Sequence, residues 1–230
     1  MLSVLRSELK YWISYGDSLR LQEELHKLLL PDRYSENGFY RVRSLYFDSI
    51  GQKDYVEKLD GVERRKKIRM RIYDESAATV KLECKQKTGA LQQKESLLID
   101  REDAIRIIEG DYGRLLDRPE ELAWRLYCDM TLGCYRPVVI IEYDRCAYLY
   151  GEYNTRITID RHVRSSELEL DLFDNSLPWI NTIEDAVILE VKFNETLIEP
   201  IRKLLAKYHL TNVAVSKYGS GRPVLERYLV

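Results

Sequence analysis

The stretch K66-K67-I68-R69-M70-R71-I72-Y73-D74 alternates cationic and apolar side chains. Side chains on a strand repeat every two residues, so Lys67, Arg69 and Arg71 share one face and Ile68, Met70 and Ile72 the other. Alone, this is a half-buried strand with its cations in water. Whether those cations point to solvent or into an interior depends on the strands beside it.

Sorting the other strands by parity repeats the pattern. Glu8 and Lys10 oppose Leu5, Leu9 and Tyr11; Lys81, Glu83, Lys85 and Lys87 oppose Val80, Leu82 and Cys84. Gln92, Lys94 and Ser96 oppose Leu91 and Leu97, with Glu95 an exception. Arg156, Thr158 and Asp160 oppose Ile157 and Ile159, and Glu190 and Lys192 oppose Val187, Leu189, Val191 and Phe193. A sheet with one wet face and cross-strand salt bridges would accommodate such charges. Here, however, cations outnumber carboxylates on the shared face, and like charges packed side by side repel unless an anion joins them. So many strands also leave edges that closure would remove. The expected architecture is α+β: an eight-stranded antiparallel β-barrel with its charged face inside and helices packed outside.

The chain supplies the parts. Strands are expected over 4–12, 40–48, 63–73, 78–87, 91–99, 137–150, 155–164 and 186–193, with a further short one over 168–172. Helices are expected from Asp17 or Ser18 to about Leu30, over 51–61, from a cap at Asp100 to about Glu109, over 119–133 and over 198–210. No repeat, low-complexity run or Pro/Gly/Ser linker divides the 230 residues, so residues 1–230 are expected to form one domain.

A formal net charge of −2 gives no general argument for nucleic acid or membrane, so an anion site must come from local clustering of Lys and Arg. The four cysteines lack CxxC spacing and there are only three histidines, which argues against a disulfide framework or a zinc site and for a reducing, cytoplasmic setting. The N-terminal stretch MLSVLRSELKYW carries charges where a signal peptide would be apolar, and no apolar run approaches a membrane span. There is no Walker A loop, no GxGxxG after a strand and no GxSxG, and His162 reads as an ordinary surface histidine. A lumen of Arg forks and Lys ammonium groups would suit a phosphate-rich ligand. Glu8, Glu83 and Glu190 are available there for a hard divalent cation, Mg²⁺ or Mn²⁺.

In chain order, ELKYW (8–12), VRSLYFD (42–48), IRMR (68–71), LECK (82–85), YDRCAY (143–148), RITID (156–160), LEVK (189–192) and VSKY (215–218) resemble the VTC domain. That is the polyphosphate polymerase module of the triphosphate tunnel superfamily, which also includes CYTH proteins and triphosphatases. The resemblance implies an eight-stranded tunnel in which the γ-phosphate of ATP passes to a growing polyphosphate chain with Mn²⁺ or Mg²⁺ assisting. It implies phosphate-binding cations at Lys10, Arg69, Arg71, Lys85, Lys94, Arg145 and Arg156, with Lys192 and Lys217 nearby and Lys81 on the same strand face. It also implies a metal carboxylate at Glu190, and phosphate contacts at Ser216 and Lys217. In this division Arg69, Arg71 and Arg156 grip the donor, and Lys85, Lys94 and Lys217 hold the acceptor.

One departure is plain: the superfamily's ExExK on the first strand is R-S-E-L-K here, with Arg6 in place of the first Glu. The SPX domain and membrane segments that accompany eukaryotic VTC subunits have no counterpart, so the chain resembles the stand-alone prokaryotic form. Coupling to translocation would then call for a separate membrane protein. A hydrolase that gives the same cradle a water nucleophile, and a module that binds polyphosphate without turnover, remain open beside the polymerase. Oligomeric state, nucleotide preference and metal preference are open as well.

Overall fold

The computed structural model describes residues 6–35, 38–89, 91–183 and 186–222. Its strands are β1 (Arg6–Ser14), β2 (Leu30–Pro31), β3 (Tyr40–Ser49), β4 (Arg64–Ile72), β5 (Thr79–Thr88), β6 (Leu91–Asp100), β7 (Tyr135–Tyr150), β8 (Thr155–Ser166), β9 (Ile180–Asn181), β10 (Ala186–Asn194) and β11 (Thr211–Asn212). Helices are α1 (Tyr15–Leu28), α2 (Lys53–Leu59), α3 (Arg101–Ile108), α4 (Glu121–Leu132), α5 (Glu199–Leu205) and α6 (Lys217–Gly221). The long strands are those expected; β2, β9 and β11 are two-residue additions.

The strands form one 11-stranded sheet in the order β11-β1-β10-β8-β7-β3-β4-β5-β6, with β2 on β7 and β9 on β8. This corrects the closed eight-stranded barrel. Among the described residues the path has two ends, because the outer side of β1 is taken by β11, Tyr11 facing Asn212, and no strand lies beyond β6. The start of β6, Leu91 to Lys94, is exposed and largely polar, which suits an edge.

Two other expectations change. Helix α1 starts at Ser14, whose side chain accepts from Asp17 N at 3.0 Å, so Asp17 lies inside the first turn instead of capping it. The stretch 168–172 is not a strand. Asp171 and Asp174 turn the chain there by accepting from Phe173 N and Ser176 N, and buried Arg43 takes the carbonyls of Leu172 and Asp174. Asp100 caps α3 as expected, accepting from Asp103 N at 2.7 Å.

The chain divides into two compact units, each assembled from separate segments. The first comprises 1–41, 143–163 and 181–216, the second 42–142, 164–180 and 217–230. In the first, the apolar faces of β1, β8 and β10 (Ile13, Ile157, Ile159, Val187, Leu189, Val191) pack with Leu21 and Leu25 of α1 and Ile201 and Leu204 of α5. In the second, Ile68, Met70, Ile72, Val80, Leu82 and Cys84 pack with Ala104 and Ile107 of α3 and Leu122, Leu126 and Met130 of α4. The apolar face of KKIRMRIYD is thus covered by helices. Glu95, the parity exception, lies on that helical side and pairs with Arg125 of α4.

Helix α2 is tied down by carboxylates. Buried Asp48 accepts from Asp54 N at 2.9 Å and Tyr55 N at 3.0 Å, satisfying two donors that the helix start leaves open. Asp54 is itself buried and accepts from Tyr135 Oη at 2.9 Å. Burial, against the help of Tyr135, pushes its carboxyl up to about 7. Since the folded-state value lies above the unfolded one, its stabilisation is complete below about pH 4 and is lost as pH rises through about 7. Asp54→Asn, which keeps an acceptor for Tyr135, should therefore raise stability at pH 8 by up to about 4 kcal/mol and change it little at pH 4. Urea unfolding at the two pH values measures this.

Candidate functional site

In the second unit, the strand register lines up the polar rows. Tyr46 of β3 faces Arg69 of β4, which faces Glu83 of β5, which faces Ser96 of β6. The row on one side is Ser44, Arg71 and Lys81, and the row on the other is Lys67, Lys85 and Lys94. Glu83 sits at the centre, 1% exposed. Its carboxylate accepts from Arg69 Nε at 2.7 Å, pairs with the Lys94 ammonium and lies 3.8 Å from Arg71 Nη2. Burial alone would raise its pKa, but Arg69, Arg71 and Lys94 outweigh it and hold the carboxyl down to about 2.

Neighbouring groups hold these cations in place. Arg69 Nη1 donates to Tyr46 Oη at 2.9 Å, and Arg71 Nε donates to Ser44 Oγ at 3.3 Å. Lys217 opens α6. The next residue, buried Tyr218, stacks on Tyr46 with ring centroids 5.0 Å apart and donates its hydroxyl to Asp48 at 2.5 Å. The Lys67 ammonium lies 5.4 Å from the Tyr218 ring centroid. The second unit thus brings together Arg69, Arg71, Lys81, Lys85, Lys94 and Glu83 on one sheet face, with Lys217 on the helix docked against Tyr46.

The first unit holds the other predicted residues and is wired differently. Glu8 faces Lys192 and Lys10 faces Glu190 across β1 and β10, and β8 continues the rows with Arg156 and Thr158. Lys10 Nζ lies 3.0 Å from Glu8, 3.9 Å from Glu190 and 3.3 Å from the Val215 carbonyl, which fixes the chain just before Ser216. Lys192 pairs with Glu190 and lies 3.7 Å from Glu8. Arg156 Nη2 donates to Asp32 at 2.9 Å.

Arg145 is engaged by the fully buried Asp160 through two parallel bonds of 2.6 and 2.7 Å. Burial would lower its pKa, but Asp160 overrides it and raises the pKa instead. Arg145 is therefore rigidly positioned by Asp160.

Of the three proposed metal carboxylates, Glu8 and Glu190 belong to the first unit and Glu83 to the second. Among the described residues no group of three or more His, Cys, Asp or Glu side chains is gathered to hold a metal. His162 is exposed and bonded to Asp144 at 2.8 Å, and all four cysteines are free thiols.

Sequence reasoning missed Tyr46, Tyr218, Asp48 and Asp32. Tyr46 shares its strand face with Ser44, opposite Arg41 and Arg43, and only the register with β4 puts it beside Arg69. Asp32 follows Pro31 in irregular chain, where no period marks it.

The fold is a large antiparallel sheet with clustered arginines and lysines on its strand faces. Residues 5–226 match the family model of the VTC domain, and the chain belongs to that family. Among solved structures, one described as a candidate adenylate cyclase from Bacillus halodurans shares the fold. It superposes with a TM-score of 0.54 at 16% identity, covering 99% of this chain and 97% of that one. The PH1819 protein from Pyrococcus horikoshii OT3 is 13% identical, with 96% of this chain and 99% of that one covered, at a TM-score of 0.46 that carries no weight here. A comparison with curated proteins finds no match. No helix among the described residues is long and apolar enough to cross a membrane.

Because the pKa of Glu83 is depressed in the fold, its stabilisation is present above about pH 4.3 and is lost as pH falls through about 2. Glu83→Gln should remove that acid-side slope. It should also destabilise the protein at pH 7 by about 3 kcal/mol, the low end for a broken buried pair, since Arg71 is buried but Arg69 and Lys94 reach solvent. Added tripolyphosphate should restore much of this loss, and melting curves with and without the anion measure both effects.

Proposed function

We propose that this VTC-domain chain is a polyphosphate polymerase working in the cytoplasm. It passes the γ-phosphate of ATP to the terminal phosphate of a polyphosphate chain and releases ADP. The observation that carries the proposal is the Glu83 cluster: arginines and a lysine held side by side on one sheet face around a single buried carboxylate. Such a face gains most when a multiply charged oxyanion joins it. Family membership supports phosphoryl transfer as the chemistry.

In the reaction, an oxygen of the acceptor's terminal phosphate bonds to the γ-phosphorus as the bond from that phosphorus to the β-γ bridging oxygen breaks. The protein must neutralise the charge on the transferred group and hold the acceptor in line. Arg69 and Arg71 serve the first need, with guanidinium forks that Tyr46 and Ser44 already aim. Lys85, Lys94 and Lys217 hold acceptor phosphates, and Arg156, Lys10, Lys81 and Lys192 add cationic contacts on their own faces. Arg145, fixed by Asp160, and Ser216, next to the carbonyl that Lys10 holds, complete the phosphate contacts. No general base is needed, because the attacking phosphate oxygen is ionised at neutral pH.

A hard divalent cation in the first unit would be held by Glu190 and Glu8, carboxylates on adjacent strands that Lys10 and Lys192 share, with phosphate oxygens as the remaining ligands. Mn²⁺ or Mg²⁺ there would neutralise charge on phosphate oxygens bound at that face. Glu83, bound to its own cations, is better suited to holding Arg69 and Arg71.

Purified protein incubated with ATP and Mn²⁺ should give polyphosphate that lengthens with time on a gel, with ADP in step. Arg71→Ala should slow it about 100-fold or more, the usual loss when one charge-stabilising donor is removed. Release of orthophosphate alone would identify a hydrolase. Tight, salt-sensitive polyphosphate binding without turnover would identify a binding module.

A further inference from the structure

We infer that Thr158 is a further phosphate-binding residue, donating its hydroxyl to a ligand phosphate oxygen on the charged face of the first unit. The inference rests on the phosphate-binding reading above and concerns a side chain to which that reading gives no role. Thr158 lies in the middle of β8 and is 3% exposed, yet its Oγ1 has no hydrogen-bond partner among the described residues. A buried hydroxyl without a partner is costly, and native folds seldom carry one without a use for it.

Its surroundings say what the partner would be. By register Thr158 faces Glu190 on β10, and Glu190 faces Lys10 on β1. On its own strand and face stand Arg156 and Asp160. The carboxylates nearby are already engaged: Glu190 with Lys192 and Lys10, and Asp160 with both forks of Arg145. A second orphan lies two residues away, since the buried Nε of Arg156 also lacks a partner, although Nη2 of the same guanidinium reaches Asp32.

An arginine Nε–H can only donate. Two positions apart on a strand, the two residues have Cα atoms about 6.6 Å from each other, so both side chains can reach phosphoryl groups of one linear chain. The lysines beside them supply the charge. The ligand class that satisfies both orphans is therefore a linear oligophosphate.

The hydroxyl can be removed almost without changing shape. Calorimetric titration with tripolyphosphate and thermal melting of the full chain would compare wild type with Thr158→Val and Thr158→Ser. Thr158→Val is expected to leave the ligand-free melting temperature unchanged or higher, because it removes an unpaired buried polar atom. It should weaken tripolyphosphate binding about 10- to 100-fold, the range for a lost hydrogen bond to a charged group. Thr158→Ser should keep the affinity.

Wild-type affinity in Thr158→Val overturns the inference and leaves the phosphate-binding reading standing. A lower ligand-free melting temperature with unchanged affinity overturns it too, by showing that the hydroxyl is structural. If wild type itself binds no tripolyphosphate, both fall. Should Thr158→Val fail to fold, Thr158→Ser and Thr158→Ala differ by the hydroxyl alone. The same loss must then appear between those two, and equal affinities would overturn the inference.

Discussion

The ion cluster around Glu83 is the interaction on which the charged face of the second unit depends. Antiparallel pairing of β4 with β5 and of β5 with β6 gathers Arg69, Arg71 and Lys94 around Glu83. Without a carboxylate among them, that arrangement would oppose its own folding through repulsion in a poorly solvated place. Glu83 resolves the conflict, and its carboxyl is held near pKa 2 for the same reason. One carboxylate among three cations stabilises the face without neutralising it, so the face folds with positive charge left over.

The alternation within strands was legible because it follows from backbone geometry alone. Arg69 and Arg71 of β4, Lys81, Glu83 and Lys85 of β5 and Glu190 and Lys192 of β10 stand opposite the apolar residues that parity assigns, and Ile68, Met70 and Ile72 lie under α3 and α4 as expected. Closure was not legible. It depends on what meets the two outermost strands, and the two-residue β11 on the outer side of β1 leaves no hydrophobic pattern to read. The stretch 168–172 misled for a related reason. Leu170 and Leu172 pack on a core, but the chain turns there, with Arg43 taking the Leu172 carbonyl and Asp171 accepting from Phe173 N.

For the site, sequence reasoning found the cations and the strand carboxylates Glu8, Glu83 and Glu190, but not the partners that lie off those strands. Lys10, Arg69, Arg71, Lys94, Arg156 and Lys192 stand at even steps along strands, so one rule located them all. Those partners come from elsewhere in the chain: Asp32, after β2, accepts from Arg156, and Tyr218 of α6 lies beside Lys67. Glu95 shows how local the parity rule is. It breaks the pattern because a helix residue, Arg125, waits on the other side.

The two units solve the same charge problem in different ways. In the first, Lys10 and Lys192 are each shared between Glu8 and Glu190, and the side chains of both lysines keep a quarter or more of their surface in solvent. Partly exposed ion pairs are weak, so a lysine can exchange a carboxylate for a phosphate oxygen at little cost. In the second, Glu83 is buried and its arginines are braced by Tyr46 and Ser44, so a ligand there must add to the existing contacts instead of replacing them. Binding on the first face is therefore an exchange of partners and on the second an addition. The addition should carry the steeper dependence on salt, since it alone brings new charges together without releasing old ones.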